Sequence, residues 1–208
     1  GFPRMITMKD YDSVYDRKDA YWGVKPSTLC FEVVKHLPYD RPVHLLDVGC
    51  GEGRDAVFFA RLGCRVTAFD SSLKGVEKTQ KLADRNGVNV DVFQADIREF
   101  RLTETVDVVF SSGVIHCIPP DIRRDVIENY QTFTKLDGLN AFLVFVEKPF
   151  IEKAPDYEHD AQLWRSGELF SMYHDWRFEH CAEDIFNCMS SGVPHQHAVN
   201  RLIARRMQ

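Results

Sequence analysis

Apolar positions in this chain fall into short runs separated by stretches with helical spacing. Residues 43–48, 65–69, 90–94, 106–110 and 139–146 are compact, mostly apolar runs bounded by polar or glycine positions, the pattern of strands buried on both faces. Helices are predicted between them over 53–62, 72–86 and 121–136, with Asn86-Gly87 and Asp137-Gly138 as stop signals for the last two. An earlier helix begins at Pro26, places Leu29, Val33 and Leu37 at helical spacing and ends before Pro38. Residues 1–25 carry Tyr11, Tyr15, Tyr21 and Trp22 ahead of Gly23 and predict a short helix within an ordered arm. Beyond Val146 the pattern changes: 147–156 is polar with two prolines, 167–175 reads as a short helical turn, and 177–188 and 193–206 read as two strands joined across Ser190 to Pro194. Strands alternating with helices, closed by a hairpin, predict a doubly wound α/β fold: a mostly parallel sheet with a C-terminal antiparallel hairpin.

The candidate chemistry lies where the first predicted strand ends. Asp47-Val-Gly49-Cys50-Gly51-Glu52-Gly53 is an acid followed by three alternating glycines, and it leads straight into a helix. Glycine there permits positive φ and the close approach of a ligand, while the helix start aims free N–H groups at it. Asp70 ends the next strand 19 residues after Gly51, the place from which an acid accepts hydrogen bonds from ribose hydroxyls, with Ser71 and Ser72 following it. Asp96 ends the third strand, where its carboxylate would accept from an adenine amino group while Ile97 packs on the ring; capping the turn at 97–100 is the other reading of Asp96. Ser111 and Ser112 end the fourth strand. All these positions share one edge of the sheet, and together they point to a nucleoside-containing cofactor.

Composition narrows the class. The chain has 208 residues, of which 44% are hydrophobic, enough for one domain with a full-sized core. Its net charge of −5 argues against a nucleic acid as principal partner. The sequence has no run of 18 apolar residues and no leader-like segment, so no membrane partner is expected. Six cysteines without a CxxC pair fit reduced thiols in a cytoplasmic setting.

Asp47-x-Gly49-x-Gly51-x-Gly53 with Asp70, Asp96 and Ser111-Ser112 resembles the cofactor site of class I S-adenosylmethionine methyltransferases, a resemblance that covers nearly the whole chain. More narrowly, Trp164-Arg-Ser-Gly-Glu-Leu169, Tyr173-His-Asp-Trp176 and Leu202-Ile-Ala-Arg-Arg206 resemble the tellurite-resistance (TehB) methyltransferase family. The resemblance implies a Rossmann-like seven-stranded sheet, S-adenosyl-L-methionine as cofactor, and a small acceptor such as a chalcogen oxyanion (tellurite or selenite) or a thiol. It also implies a single methyltransferase domain over 1–208, with 1–25 covering the cofactor and 147–176 capping the substrate side. On the final hairpin, where that family carries a histidine and arginines, this chain has Cys188, Met189 and Pro194, with His195 and His197 nearby. Glu147 is the counterpart of the family's acid after the fifth strand.

Several side chains remain candidates. Tyr15 and Trp22 are placed to cover a sulfonium by cation–π contact, or else to pack as an aromatic arm. His116, after the fourth strand, would take a proton from the acceptor or, protonated, attract an anion. Cys181-x6-Cys188-x6-His195-x-His197 invites a metal, but its spacing matches no standard knuckle and residues on opposite strand faces cannot all converge, so no metal is expected. Two other readings stay open: a non-enzymatic S-adenosylmethionine-sensing module, and a nicotinamide-dependent oxidoreductase, which the missing GxGxxG spacing disfavours.

Overall fold

The computed structural model describes residues 11–16, 25–155, 162–189 and 191–208. In chain order the elements are α1 (Tyr11–Tyr15), α2 (Thr28–Val34), β1 (His44–Val48), α3 (Arg54–Arg61), β2 (Arg65–Asp70), α4 (Leu73–Arg85), β3 (Val90–Gln94), β4 (Val106–Ser112), α5 (Arg123–Thr132) and β5 (Thr134–Glu147). The two-residue β6 (Trp164–Arg165), α6 (Glu168–Ser171), β7 (Arg177–Cys188) and β8 (His195–Arg205) complete the chain. Strands run in the order β3-β2-β1-β4-β5-β8-β7, parallel from β3 to β5 and antiparallel through β8 and β7. The seven strands expected form this path. β6 is an addition: β4 stops pairing at Leu143, and Trp164 takes up the vacated edge of β5 opposite Val146.

Alternation along the strands feeds two apolar layers. Leu46, Val48, Phe69, Val109, Phe142 and Val144 face one side, where Val126, Ile127 and Tyr130 of α5 cover them. Leu45, Val66, Ala68, Val108, Phe110 and Ala141 face the other, under Leu29 and Val33 of α2 and Phe59 of α3. Burial on both faces explains why these strands read as unbroken apolar runs. Sheet building reverses direction at β1, which lies between β2 and β4. The reversal leaves a crevice outside the carboxyl ends of β1 and β4.

One expectation is corrected. The helix predicted over 121–136 is a 3₁₀ turn at Pro120–Ile122 followed by α5, which ends at Thr132. Asp137-Gly138 does not stop it. Thr134 leaves the helix because its hydroxyl donates to the Tyr130 carbonyl at 2.6 Å and accepts from Asn140 Nδ2 at 2.7 Å, while Tyr173 donates to Asn140 Oδ1 at 2.6 Å. This buried chain of hydrogen bonds starts β5 early, and the residues up to Gly138 form an irregularity in which Asp137 takes φ 65°. Within the segment expected to cap the substrate side, Trp164, Leu169 and Tyr173 are buried in the core while Arg165, Ser166, Ser171, His174 and Asp175 stay exposed. Trp164 is fully buried, donates Nε1–H to the Ile115 carbonyl at 3.0 Å, and carries the Arg123 guanidinium 4.8 Å above its ring.

At the crevice, α1 and α4 grip the glycine turn. Asp12 Oδ1 accepts from Ser72 Oγ at 2.5 Å and from Lys74 N at 3.1 Å, which docks α1 on the start of α4. Thr79 Oγ1 donates to the Gly51 carbonyl at 3.1 Å. A Cβ on Gly75 would stand 2.7 Å from that same carbonyl oxygen and 3.1 Å from Tyr15 Cδ2. Gly75→Ala therefore sets a helix-propensity gain of about 1 kcal/mol against overpacking of about 1–3 kcal/mol. The expected outcome is a net loss of about 1 kcal/mol in urea unfolding, because one of the blocking atoms is backbone.

Candidate functional site

The crevice is a cavity of about 290 Å³ whose walls come from the ends of β1, β2 and β4, the residues after β3, and α1. Gly49, Cys50 and Gly51 form its floor. Gly49 (φ 70°) can bear no side chain, since a Cβ would come within 2.4 Å of Val114. Gly51 (φ 56°) lies under the Tyr15 hydroxyl, 3.0 Å from where its Cβ would be. Asp70 Oδ2 accepts from Gly51 N at 2.8 Å and Oδ1 from Ser72 N at 2.9 Å, so the turn and the start of α4 are fixed to the end of β2. Each oxygen retains a lone pair for a further donor. Burial raises the Asp70 carboxyl above its usual range, against the pull of those backbone N–H groups.

Asp47 lies deeper, 2% exposed, and also lines the cavity. Its Oδ2 has no hydrogen-bond partner among the described residues. Burial first, then the nearby Asp55 and Asp70 carboxylates, push its pKa well above the ordinary value. A buried acid facing a cavity with an unsatisfied oxygen is a ready acceptor for a cationic N–H donor. Arg54 also lines the cavity, 3.9 Å from Asp55, as do Tyr11, Phe69, Ala95, Val114 and Cys117.

The sequence-derived candidates divide. Tyr15, Asp47, Gly49, Cys50, Gly51, Asp70, Ser71, Ile97 and Ser112 line the cavity. Gly53, Glu52, Ser72, Ser111 and Asp96 do not, and each has another task. Gly53 (φ 92°) lets the start of α3 pass Thr79, whose Cγ2 would be 2.7 Å from a Cβ. Glu52 pairs with Lys78 at 2.8 Å. Ser72 caps α4, accepting from Gly75 N at 3.0 Å. Ser111 is fully buried and donates to the Val48 carbonyl at 2.7 Å. Asp96, between two lining residues, gives both carboxylate oxygens to Arg98 and accepts from the Arg98 N–H at 2.9 Å; this is the capping role, and it holds the acid at a lowered pKa. Trp22 lies outside the described residues.

Both proposed catalytic groups are displaced from the cavity wall. His116 stands behind it, edge-on to Phe145 at 5.3 Å, and burial, with His197 and Arg123 adding to it, lowers its pKa to about 4. That lowering favours the neutral imidazole near pH 7 over an anion-attracting cation. Phe145 itself lines the cavity, and Glu147 is two residues further along β5, about 6.6 Å on. There Glu147 pairs with Arg165 of β6, and its exposed carboxylate lies 3.8 Å from the Arg165 side chain and lines a second cavity of about 330 Å³ with Lys148, Ile151 and His197.

Sequence reading missed Arg54 and the apolar wall of Leu143, Phe145 and Phe186. Arg54 was within reach, since it directly follows the glycine turn. The wall depends on which strand ends pack together, which spacing does not disclose. On the hairpin, Cys188, His195 and His197 converge, their ligand atoms all within 4.8 Å of one another, while Cys181 stands opposite Leu202 on the other face, so the four do not all converge.

The family described as "Methyltransferase domain" matches residues 45–138, from β1 into β5. A probable S-adenosyl-L-methionine-dependent methyltransferase TehB of Haemophilus influenzae is 23% identical over 166 residues, which cover 79% of this chain and 57% of that protein. This chain thus spans somewhat over half the length of that relative. A ubiquinone biosynthesis O-methyltransferase of Actinobacillus pleuropneumoniae is 30% identical over 104 residues, covering 47% of this chain and 44% of that one. Among solved structures, TehB from Haemophilus influenzae superposes with a TM-score of 0.75 at 20% identity, covering 85% of this chain and 61% of that one. A protein described for conversion of a disulfide bond into a thioacetal group during echinomycin biosynthesis gives 0.70 at 21% identity, covering 95% and 90%. Residues 45–138 thus match the methyltransferase-domain family, and the chain is similar to TehB in sequence and in fold.

Proposed function

We propose that this cavity binds S-adenosylmethionine and that the chain transfers its methyl group to a small soft nucleophile, a chalcogen oxyanion or a thiol. The observation that carries the reading is the unsatisfied Oδ2 of Asp47, buried at a cavity that Gly49 and Gly51 keep open, with Asp70 at the end of the adjacent strand. Asp47 takes the donor's ammonium and Arg54 its carboxylate. Asp70 accepts from the ribose hydroxyls, and Ile97, Phe69 and Ala95 form an apolar slot for the purine. Tyr11 and Tyr15, stacked 5.7 Å apart on α1, cover the donor. Leu143, Phe145 and Phe186 line the end where an acceptor enters.

The donor supplies an activated sulfonium, so the chain's part is to align the acceptor and exclude water. His116, a weak base with its pKa lowered to about 4, stands behind the wall and not at the acceptor end. An acceptor that already carries a lone pair and negative charge, such as tellurite, selenite or a thiolate, needs no base there. Support for a soft acceptor comes from the resemblance to TehB and from the fold shared with a protein described for disulfide-to-thioacetal conversion.

Asp70→Ala is expected to weaken binding of S-adenosylmethionine at least tenfold, about 1.4 kcal/mol or more, in calorimetric titration. Unchanged affinity would remove the ribose assignment. Asp47 and Asp70 must be ionised to hold the donor, and both pKa values are raised. Donor affinity should therefore fall as the pH drops, starting at a higher pH than for an ordinary carboxylate.

Methyl transfer itself is tested by headspace mass spectrometry with methyl-labelled donor, offering tellurite or selenite with a thiol reductant and, separately, a panel of thiols. Labelled dimethyl telluride, dimethyl selenide or methyl sulfide above the protein-free control is the expected result. No labelled product, with donor binding confirmed in the same sample, would reject the soft acceptor and leave larger acceptors or a sensing role.

A further inference from the structure

The terminal hairpin brings together three side chains that the methyl-transfer reading does not use. Cys188 of β7 is the direct cross-strand partner of His195 of β8, and His197 follows two residues along. Directly opposed residues of an antiparallel pair share a face, as do residues i and i+2 of one strand. The irregularity in this pairing lies near Phe178, far from Cys188, so the register at the end of the hairpin is regular. Cys188, His195 and His197 therefore project from the same face, and their ligand atoms lie within 4.8 Å of one another.

The local geometry suits a cation. The two Nε2 atoms are 3.0 Å apart, close to the roughly 3.3 Å edge of a tetrahedron with metal–nitrogen bonds of about 2.0 Å. His195 Nδ1 lies 2.7 Å from the Val193 carbonyl oxygen, an arrangement that keeps the proton on Nδ1 and turns the Nε2 lone pair inward. A backbone carbonyl behind an imidazole is the usual means of orienting a metal-binding histidine. His197 is 5% exposed, and its ring is held by Phe145 at 5.1 Å and Phe186 at 5.6 Å.

We propose that Cys188, His195 and His197 form a binding site for a soft divalent cation of the zinc class, with the fourth coordination position open. One thiolate and two neutral imidazoles are a donor set that such a cation prefers over calcium or magnesium. On binding, the Cys188 thiol releases its proton to solvent as the sulfur–metal bond forms. His197 lines the second cavity, and its ring partner Phe145 lines the first, so the site stands in the partition between them. The proposal does not depend on the methyl-transfer reading.

The test is titration of chelator-treated protein with cobalt(II), without methyl donor. One equivalent should give tetrahedral visible bands and a near-ultraviolet thiolate-to-cobalt charge-transfer band, both displaced by zinc. Cys188→Ser should abolish the charge-transfer band, His195→Ala and His197→Ala should each weaken cobalt binding at least tenfold, and Cys181→Ser should behave as the parent. Zinc should also raise the midpoint of thermal unfolding in the parent and not in Cys188→Ser. Absence of the charge-transfer band from the parent, or its survival in Cys188→Ser, would overturn the site.

Discussion

The carboxylate of Asp70 bonds at once to the backbone N–H of Gly51 and to that of Ser72, and so joins the glycine turn, the end of β2 and the start of α4. The rest of the site depends on this one group. With the turn fixed, α3 leaves in a single direction, Gly53 passes Thr79 without collision, and Gly49 and Gly51 present bare backbone to the cavity. An acid is needed because both donors are buried, and an unpaired N–H there would cost about 1–3 kcal/mol. The same burial that secures the turn raises the pKa of Asp70. The structural anchor is therefore also an acceptor placed where a nucleoside can use it.

The sheet supplies the frame. Apolar side chains alternating to two covered faces hold β1, β2 and β4 side by side, and the reversal of strand order at β1 opens the crevice at their carboxyl ends. β5 extends beyond β4 to carry Phe145 to the cavity wall, and the antiparallel β8 follows it, bringing His197 against that ring. In the proposed reading the donor lies at the ends of parallel strands, and the acceptor end is walled by Leu143 and Phe145 of β5 and Phe186 of the hairpin.

The cavity's glycine turn and its acids Asp47 and Asp70 were legible in the sequence because their signals are local. Asp47, the glycines and Asp70 are set by a strand end and a turn, and their spacing alone places them on one edge. Side chains whose direction depends on a partner elsewhere were not legible. Asp96 sits at a strand end like Asp70, yet Arg98, two residues on, takes its carboxylate. Glu147 lines the second cavity and not the first, and His116 lies behind Phe145. α5 ended early through a hydrogen bond from Thr134 to Tyr130 that a propensity argument does not see. The convergence of Cys188 with His195 and His197 needed the hairpin register, which the sequence leaves open until the strands are paired.

The central claim is that a nucleoside lies across the ends of β1 and β2, with Asp70 at its ribose. A crystal structure grown with S-adenosylhomocysteine tests this most directly. The account predicts density for the amino group beside Asp47, both ribose hydroxyls on the Asp70 carboxylate and the purine against Ile97. A nucleoside bound elsewhere, or one in this cavity with its ribose away from Asp70, would contradict it.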